Sequence, residues 1–396
     1  MSNFSQPPQK VDGLAPFTFS IPKEEIDALN TLLKRPLPIA TWENSQEDGR
    51  FGVSRDWFTK AISQWQSYDW QYQEGINNVP NFKVPVEDEG ETYEVHFAGL
   101  FSQKKDATPI MLSHGWPGSF LEFLPILGKV QKQYAADPAS LPYHLIVPSV
   151  PGYGFTKISV NKDMTMVDVS RILNKFMIKL GFNKYVAQGG DVGSMITKTV
   201  LEEYDECIAG HVNMLTLNPP QGEGIAPPTE KEQQLLERSA KFWESGAAYA
   251  MLHGTKPATA GLAIGSSPQA LLAWIGEKMI AWSDESPSVE TILGNVSLYW
   301  FTGCYPSSIW PYRELLGPNA KSRASRGTVD KIKKPFGYSW FQYELAGTPK
   351  SWSDATGKVS FYKSHDQGGH FAALEKPDAL WQDIVEFVDH VHTTRK

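Results

Sequence analysis

Hydrophobic residues in the middle of the chain recur with strand and helix periods that follow one another. Residues 92–98 alternate between apolar and polar side chains like a half-buried strand, while 109–113 and 143–148 are short apolar runs. Residues 120–134 and 166–180 carry apolar side chains at helical spacing. Strands that alternate with helices at these intervals predict parallel pairing in an open α/β sheet.

This alternation continues to residue 218, stops, and returns near residue 335. Before the break, strands are predicted from Tyr185 and at 208–214. A Pro/Gly-rich segment then runs to residue 228, and the predicted helices that follow it are 229–244, 268–282 and 289–302. The last predicted elements are strands at 335–341 and 359–364 and a closing helix at 377–392.

These patterns predict an α/β core that is interrupted by a helical cap. The core consists of residues 91–218 and 326–396, and the cap of residues 219–325. Residues 1–90 show helical spacing after Pro22 and from Arg55 to Tyr68. They lack the strand–helix alternation and are predicted to form an irregular N-terminal arm packed on the core. A segment inserted after the carboxyl end of a strand lies over the crevice in which α/β sheets bind ligands. We therefore expect the functional site between cap and core.

Composition and charge restrict the class of protein without selecting a chemistry. The 396 residues are 41% hydrophobic and 20% charged, as in ordinary soluble globular proteins. The net charge of −7, with no long basic run, argues against nucleic acid or an anionic membrane surface as a partner. Cys207 and Cys304 cannot form a disulfide framework and lack metal-motif spacing. The polar N-terminus and the lack of about 18 consecutive apolar residues predict a cytoplasmic protein with no signal peptide and no stable membrane anchor.

The segment 185–194 joins an apolar run to a helical pattern through closely spaced glycines. Gly189 and Gly193 stand two positions before and after Asp191. In a nucleophile elbow, small residues at these positions let a strained strand-to-helix turn present its apex side chain above the sheet. An aspartate at the apex indicates attack at carbon through an alkyl ester. The short pattern also fits a glycine-rich turn with a solvated Asp, so it needs partners elsewhere in the chain.

Hydrolysis of such an ester requires a general base, and His370 is the best candidate. It lies in a loop after the last predicted strand, so that nucleophile, acid and histidine follow the chain order of α/β-hydrolases. His365 is at the end of that strand and is interpreted as structural. His390 and His392 fall in the closing helix and are expected to be solvated.

Glu344, Asp354 and Asp366 are candidates for the acid that orients this base. Glu344 comes just after the strand 335–341, at the edge of the sheet where the site is expected. Asp354 and Asp366 are interpreted as loop residues, and the alternative acid position after the preceding core strand is occupied by the uncharged Asn218. We therefore predict Glu344 for this role.

Backbone N–H groups are the expected stabilisers of the oxyanion that forms during ester hydrolysis. One is predicted from Val192, directly after the nucleophile, and the other from Trp116 in the loop after the strand 109–113. His114, which opens this loop, is interpreted as a residue that shapes it.

These motifs together resemble those of α/β-hydrolase-fold epoxide hydrolases of the microsomal type, in particular the soluble fungal members. The resemblance covers nearly the whole chain, and the segments that carry it are Tyr68-Asp69-Trp70, Pro80-Asn81-Phe82, His114–Ser119, Gly189–Ser194, Thr255-Lys256-Pro257, Ser266-Ser267-Pro268, Ala273–Lys278, Pro335-Phe336-Gly337 and Gly368–Ala373. The resemblance implies that Asp191 is the nucleophile, Glu344 the charge-relay acid and His370 the base.

The resemblance also implies two cap tyrosines that donate hydrogen bonds to the epoxide oxygen. Tyr249 and Tyr312 occupy the matching positions, with Tyr299 and Tyr305 as nearby alternatives. The implied reaction converts a small apolar epoxide and water to a vicinal diol without a cofactor or a metal. Relatives tend to be dimers, so a homodimer is possible, although nothing in the composition decides this.

Other functions remain open from the residues alone. A haloalkane dehalogenase would share the fold class and the Asp nucleophile, and Trp116 could bind its halide, but the matched tyrosines favour an epoxide. A serine hydrolase is disfavoured because Ser194 lies three residues past the elbow apex. A non-catalytic ligand carrier on the same fold would have no use for Asp191, Glu344 and His370 together.

Overall fold

A single mixed sheet runs through the molecule. The computed structural model describes residues 4–68, 72–221, 224–316, 320 and 329–394. The described strands are β1 (Ala15–Phe17), β2 (Asn81–Asp88), β3 (Glu91–Leu100), β4 (Thr108–Ser113), β5 (Tyr143–Pro148), β6 (Tyr185–Gly189), β7 (Cys207–Val212), β8 (Phe336–Tyr343) and β9 (Val359–Gly369). Their order in the sheet is β1-β2-β3-β5-β4-β6-β7-β8-β9. The pairs β1–β2, β2–β3 and β3–β5 are antiparallel. All the remaining pairs of described strands are parallel.

Apolar residues cover both faces of this sheet. In β4, Met111 belongs to one hydrophobic cluster, whereas its neighbours Ile110 and Leu112 belong to a second cluster on the other face. All six residues of β5 are buried, as expected for a strand with helices on both sides. The helices of the core are α4 (Leu124–Gln133), α5 (Met166–Lys179), α6 (Val192–Glu203), α14 (Lys350–Ala355), α15 (Ala372–Glu375) and α16 (Pro377–Thr394). The predicted α/β-hydrolase fold, a mostly parallel sheet flanked by helices, is confirmed.

The first 90 residues contain helices at the two stretches with helical spacing and, in addition, two strands that join the sheet. Their helices are α1 (Lys23–Leu33), α2 (Arg55–Gln66) and α3 (Tyr72–Asn77). The strands β1 and β2 add to the antiparallel edge of the sheet, so the prediction of an irregular arm is wrong at Asn81–Asp88. The arm is predicted to pack on the core, but α1 and α2 also contact helices in the inserted segment between β7 and β8. Asp69 and Trp70, which belong to one of the arm motifs, lie outside the described residues.

A helical layer lies between β7 and β8 in the chain. Its described helices are α7 (Glu230–Lys241), α8 (Ala248–Thr255), α9 (Pro257–Gly265), α10 (Pro268–Ala281), α11 (Val289–Thr302), α12 (Tyr305–Ser308) and α13 (Tyr312–Leu316). The predicted helix 229–244 changes to a π-helical turn at Phe242–Gly246. The proposed end of the cap at residue 325 falls outside the described residues. Within the described part of the chain, no helix combines the length and the apolar character needed to cross a bilayer.

The arm holds two of these cap helices through specific contacts. The indole Nε1–H of Trp65 in α2 donates to Oγ of Ser297 in α11 at 2.9 Å, and both residues are buried. The side-chain amide of Gln269 in α10 donates to the backbone oxygens of Leu33 and Arg35 at 3.2 and 3.0 Å. The arm thereby links α10 and α11 to the rest of the molecule.

Candidate active site

The turn between β6 and α6 holds Asp191 in a strained backbone conformation. Its φ of 49° and ψ of −124° are rarely adopted by a non-glycine residue. A Cβ on Gly189 would lie 2.2 Å from the carbonyl carbon of Gly193, and a Cβ on Gly193 would lie 2.0 Å from the backbone oxygen of Ser113. Because only glycine fits at both positions, the turn can press against β4 and present Asp191 at the carboxyl end of the sheet.

One carboxylate oxygen of Asp191 is held by the loop after β4. The backbone N–H of Trp116 donates to Oδ1 of Asp191 at 2.8 Å. Val192 begins helix α6, whose N-terminus favours negative charge at this position. The Asp191 side chain is 20% exposed, so a reactant can reach this carboxylate group.

Helix α11 of the cap fixes the loop that carries Trp116. The Nδ2 group of Asn295 donates to the backbone oxygen of Pro117 at 2.7 Å, and the Tyr299 hydroxyl donates to that of Gly118 at 2.8 Å. The other end of the loop is held by His114, whose Nε2 accepts the backbone N–H of Val150 at 3.1 Å. Burial lowers the pKa of His114 to about 4, so this imidazole stays neutral and structural, as predicted.

His370 lies between two carboxylates. Its Nδ1 is 2.7 Å from Oε1 of Glu344, and its Nε2 is 3.5 Å from Oδ2 of Asp191. The contact with Glu344 assigns the proton to Nδ1 in the neutral ring, which leaves the lone pair of Nε2 directed towards Asp191. Burial alone lowers the pKa of His370, but the negative charges and hydrogen bonds of Glu344 and Asp191 outweigh it and hold this pKa well above its ordinary value.

Backbone contacts position both partners of this pair. Oε1 of Glu344 also accepts the N–H of Leu345 at 2.6 Å, directly after β8. The N–H of His370 donates to the backbone oxygen of Trp282 at 3.0 Å, and the rings of these two residues meet edge to face. The end of cap helix α10 therefore positions the histidine loop that follows β9.

The alternative acids and histidines lie in ion pairs or hydrogen bonds elsewhere. Asp354 pairs with Lys350 at 2.6 Å, and Asp366 pairs with Lys231 at 2.5 Å. His365 Nε2 is 2.6 Å from Asp383, and His392 Nε2 is 2.9 Å from the hydroxyl of Thr108 on the surface. None of these contacts involves Asp191.

Two cap tyrosines contact each other through their hydroxyl groups. The hydroxyl of Tyr312, in α13, lies 3.3 Å from that of Tyr249, in α8. The Tyr249 ring stacks on Trp116, with the ring centroids 5.1 Å apart. Burial and, more weakly, the charge of Asp191 raise the pKa of both phenols far above the ordinary value. Both therefore remain protonated hydrogen-bond donors at neutral pH.

The alternative tyrosines have other partners. Tyr299 donates to the Trp116 loop, and the Tyr305 hydroxyl lies 3.0 Å from Nε2 of His253. Of the four tyrosines, Tyr249 and Tyr312 are the two whose hydroxyls are paired with each other and whose pKa is raised by Asp191.

Several residues around the site were not identified from the sequence. Trp282 carries the carbonyl that binds the His370 N–H, and Glu375 accepts the backbone N–H groups of Gly369 and Phe371. Glu122 lines a small cavity together with Asp191 and His370. The only sequence signal for Glu122 is the pattern Ser-x-x-Glu from Ser119, which is typical of a capping box and not of a catalytic site. The described residues contain no group of three or more His, Cys, Asp or Glu side chains that could hold a metal ion.

Comparison with known proteins identifies the family. Residues 14–123 match the family model described as "Epoxide hydrolase N terminus", and residues 108–275 match the one described as "alpha/beta hydrolase fold". The solved structure of Aspergillus niger epoxide hydrolase superimposes with a TM-score of 0.90 at 42% identity, covering 98% of this chain and 99% of that one.

Curated relatives agree over similar lengths. A protein of Dothistroma septosporum, whose name places it among the epoxide hydrolases, is 40% identical over 95% of this chain and 90% of its own length. Epoxide hydrolase 1 of Sus scrofa is 31% identical over 95% of this chain and 89% of its own length. With both the fold and the sequence matched along nearly its whole length, this chain belongs to the α/β-hydrolase-fold epoxide hydrolases.

Proposed function

We propose that the chain hydrolyses small apolar epoxides to vicinal diols through a covalent ester on Asp191. The observation that carries the proposal is the arrangement of the Asp191 carboxylate. Its Oδ1 accepts the Trp116 N–H at 2.8 Å, while its Oδ2 is 3.5 Å from Nε2 of His370. An oxygen held by an amide beside a free one suits a nucleophile whose ester is later hydrolysed.

In the first step, Oδ2 of Asp191 attacks a ring carbon of the epoxide and the C–O bond of the ring breaks. Negative charge develops on the departing ring oxygen, and Tyr249 and Tyr312 are the donors that stabilise it. Their raised pKa suits them to donate hydrogen bonds while an alkoxide forms, and one of them supplies its proton. The product of this step is a hydroxyalkyl ester of Asp191.

In the second step, water attacks the carbonyl carbon of the ester. Nε2 of His370 takes one proton from this water, and Glu344 stabilises the imidazolium that forms. The oxyanion lies in the position of Oδ1, where the N–H groups of Trp116 and Val192 are the proposed donors. Collapse breaks the bond to the alkyl oxygen, which takes the proton of His370 and leaves as the diol. The proton of the regenerated Asp191 carboxyl group returns to the tyrosine.

Single turnover in oxygen-18 water tests the covalent route. The route predicts that the label enters the Asp191 carboxylate, because water attacks the ester carbonyl, and that the diol of the first turnover is unlabelled. Label in the diol alone would show direct attack of water on the epoxide and would refute the ester. Halide release from an alkyl halide, without diol formation from any epoxide, would instead support a dehalogenase.

Replacement of the base separates the two steps. His370→Gln should form the ester and accumulate it, because attack on the epoxide needs no base and hydrolysis does. His365→Gln is the matched control, since His365 lies in β9, the strand that precedes His370, but pairs with Asp383. It should not accumulate the ester.

A further inference from the structure

Three glutamates surround the catalytic histidine, and the mechanism above uses one of them. Glu344 is hydrogen-bonded to Nδ1 of His370. Glu375 is occupied by backbone N–H groups: its Oε2 accepts those of Asp284 and Gly369 at 2.7 and 3.2 Å, and its Oε1 accepts that of Phe371 at 3.1 Å. The third glutamate, Glu122, has a different environment.

Glu122 is held at one oxygen by a capping box. The backbone N–H of Ser119 donates to Oε1 of Glu122 at 3.1 Å. In the described part of the chain, no other group donates to this carboxyl. Its Oε1 also lies against Gly118, where a Cβ would be 1.5 Å from it. The capping box therefore orients the Glu122 side chain and leaves its Oε2 without a protein donor among the described residues.

Glu122 contributes to the wall of a cavity that also contains the catalytic groups. The cavity has a volume of about 10 Å³, and its lining includes Glu122, Gly118, Trp116, Asp191 and His370. This volume corresponds to the space that one water molecule needs, and the lining supplies several polar partners for it. The cavity thus has room for one water molecule in contact with both Asp191 and His370.

We propose that Glu122 binds and orients the hydrolytic water in this cavity. The water donates one hydrogen to Nε2 of His370 and the other to Oε2 of Glu122, so that its oxygen is directed at the ester carbonyl carbon of Asp191. His370 takes the first proton during attack, while the second stays on the new hydroxyl oxygen and Glu122 gains no proton. The assignment rests on the ester mechanism of the proposed function. It makes Glu122 a water-positioning residue for the second step only.

The charges of the neighbouring catalytic groups act on Glu122 in opposite directions. Burial raises the pKa of Glu122 to about 8, the positive charge of His370 opposes this rise, and the negative charge of Asp191 adds to it. Ester formation removes the charge of Asp191, which raises this pKa, and loss of the His370 proton removes the larger contribution that lowers it. In either protonation state the carboxyl group keeps an oxygen that can accept the water hydrogen.

A variant that keeps the capping box but replaces the acceptor Oε2 by a hydrogen-bond donor tests the proposal. In Glu122→Gln, the amide oxygen can still accept the Ser119 N–H, while the NH₂ group facing the cavity can only donate. The matched control is Glu232→Gln, which removes the charge from a second capping box, formed with Thr229 at the start of α7. Rapid quenching and mass spectrometry of the Asp191 peptide measure ester formation and ester hydrolysis separately, and thermal unfolding compares the stability of the two variants.

The expected result is a split between the two steps. Ester formation in Glu122→Gln should stay within about threefold of the unsubstituted protein, while hydrolysis should slow by about 10- to 100-fold, the range for loss of one hydrogen bond to a charged group. Glu232→Gln should change neither rate. Hydrolysis at an unchanged rate, or an equal fall in both rates, would overturn the proposal. If the unsubstituted protein forms no ester at all, it is the covalent mechanism that fails, and the two failures remain distinguishable.

Discussion

Oε1 of Glu344 lies 2.7 Å from Nδ1 of His370, and the side chains of both residues are at most 3% exposed. This contact does two things at once. It selects the tautomer in which Nε2 can accept a proton, and it raises the pKa of the imidazole against the effect of burial. The imidazole is thereby oriented, but it must lose its own proton before it can act as the proposed base.

The first prediction concerns the pH dependence of Glu344→Gln. Hydrolysis of the ester needs neutral His370, so its rate should rise with pH through the pKa of that residue. Removing the Glu344 charge lowers this pKa, and the rising limb should therefore move to lower pH. The plateau should fall by about 10²- to 10⁴-fold, because the imidazolium loses its partner. Rapid-quench kinetics of ester decay across pH measures both effects.

Asp366→Asn is the control for this experiment. Asp366 is one of the two competing acids in the sequence, and it pairs with Lys231 at the surface. Its replacement should leave the pH limb and the plateau unchanged. A Glu344→Gln profile that coincides with that of the unsubstituted protein would contradict the role of Glu344.

The second prediction concerns the tyrosine pair. Their hydroxyls lie 3.3 Å apart, so each can donate to one shared oxygen. Tyr249→Phe or Tyr312→Phe should slow ester formation by about 10- to 100-fold, and the double variant by about 10³-fold or more, as for removal of oxyanion donors. The burst rate of ester formation in single turnover gives these values directly.

Tyr305→Phe serves as the comparison, because the Tyr305 hydroxyl contacts His253 and not the Tyr249–Tyr312 pair. Ester formation should be nearly unchanged in this variant. If Tyr305→Phe slowed ester formation as much as the double variant, the epoxide oxygen would have been assigned to the wrong phenols.

Most of the core could be predicted because its strands are buried on both faces. The run 143–148 is apolar or buried at every position, and the structure places β5 at those residues. The helix predicted at 289–302 coincides with α11 for the same reason: it is apolar around most of its circumference. Local pattern and tertiary burial agree in these elements.

The strand β2 could not be predicted, because its sequence contains a proline. Pro85 disfavours a strand, since it has no N–H for the ladder. In the structure, β1 pairs with β2 only from Asn81 to Lys83, so Pro85 lies beyond the end of β1 and no ladder bond is lost on that side. Only the arrangement of the neighbouring strand reveals this.

The polar residues of the site also divide into those that a local sequence pattern marks and those that it does not. Asp191 and the loop of Trp116 have local signals in their glycines and in their position after strands. Glu122, Trp282 and Glu375 reach the site through packing between distant segments, as in the 3.0 Å contact of the Trp282 carbonyl with the His370 N–H. No local pattern marks such contacts, so the second layer of the site required the structure.

The third prediction concerns the link between arm and cap. Ser297→Ala would leave the buried Nε1–H of Trp65 without its acceptor. The free energy of unfolding should fall by about 1–3 kcal/mol, the usual cost of an unsatisfied buried donor. Chemical denaturation measures this change. Thr393→Ala, at the exposed end of α16, should change stability by less than about 0.5 kcal/mol. Equal effects of the two substitutions would show that the arm contact is not a significant stabiliser.

The fourth prediction concerns the elbow itself. A Cβ on Gly193 would lie 2.0 Å from the backbone oxygen of Ser113 in β4, and a strand backbone cannot move aside as a flexible side chain can. Gly193→Ala must therefore separate α6 from β4. In the unsubstituted protein the Trp116 N–H donates to Asp191 at 2.8 Å, and the separation displaces Asp191 from this donor. We expect unfolding to become easier by at least about 3 kcal/mol, at the upper end for overpacking, and ester formation to be lost.

Gly128→Ala is the matched substitution for this test. Gly128 lies in α4, and a Cβ there would meet no atom within 4 Å. Alanine should leave activity intact and stabilise the protein by about 0.5–1 kcal/mol, because it favours the helix over the unfolded chain. Denaturation curves measure the stability of the two variants, and single-turnover kinetics measures their rates of ester formation. If Gly193→Ala behaved like Gly128→Ala, the close approach of the turn to β4 would not be what holds Asp191 in its strained conformation.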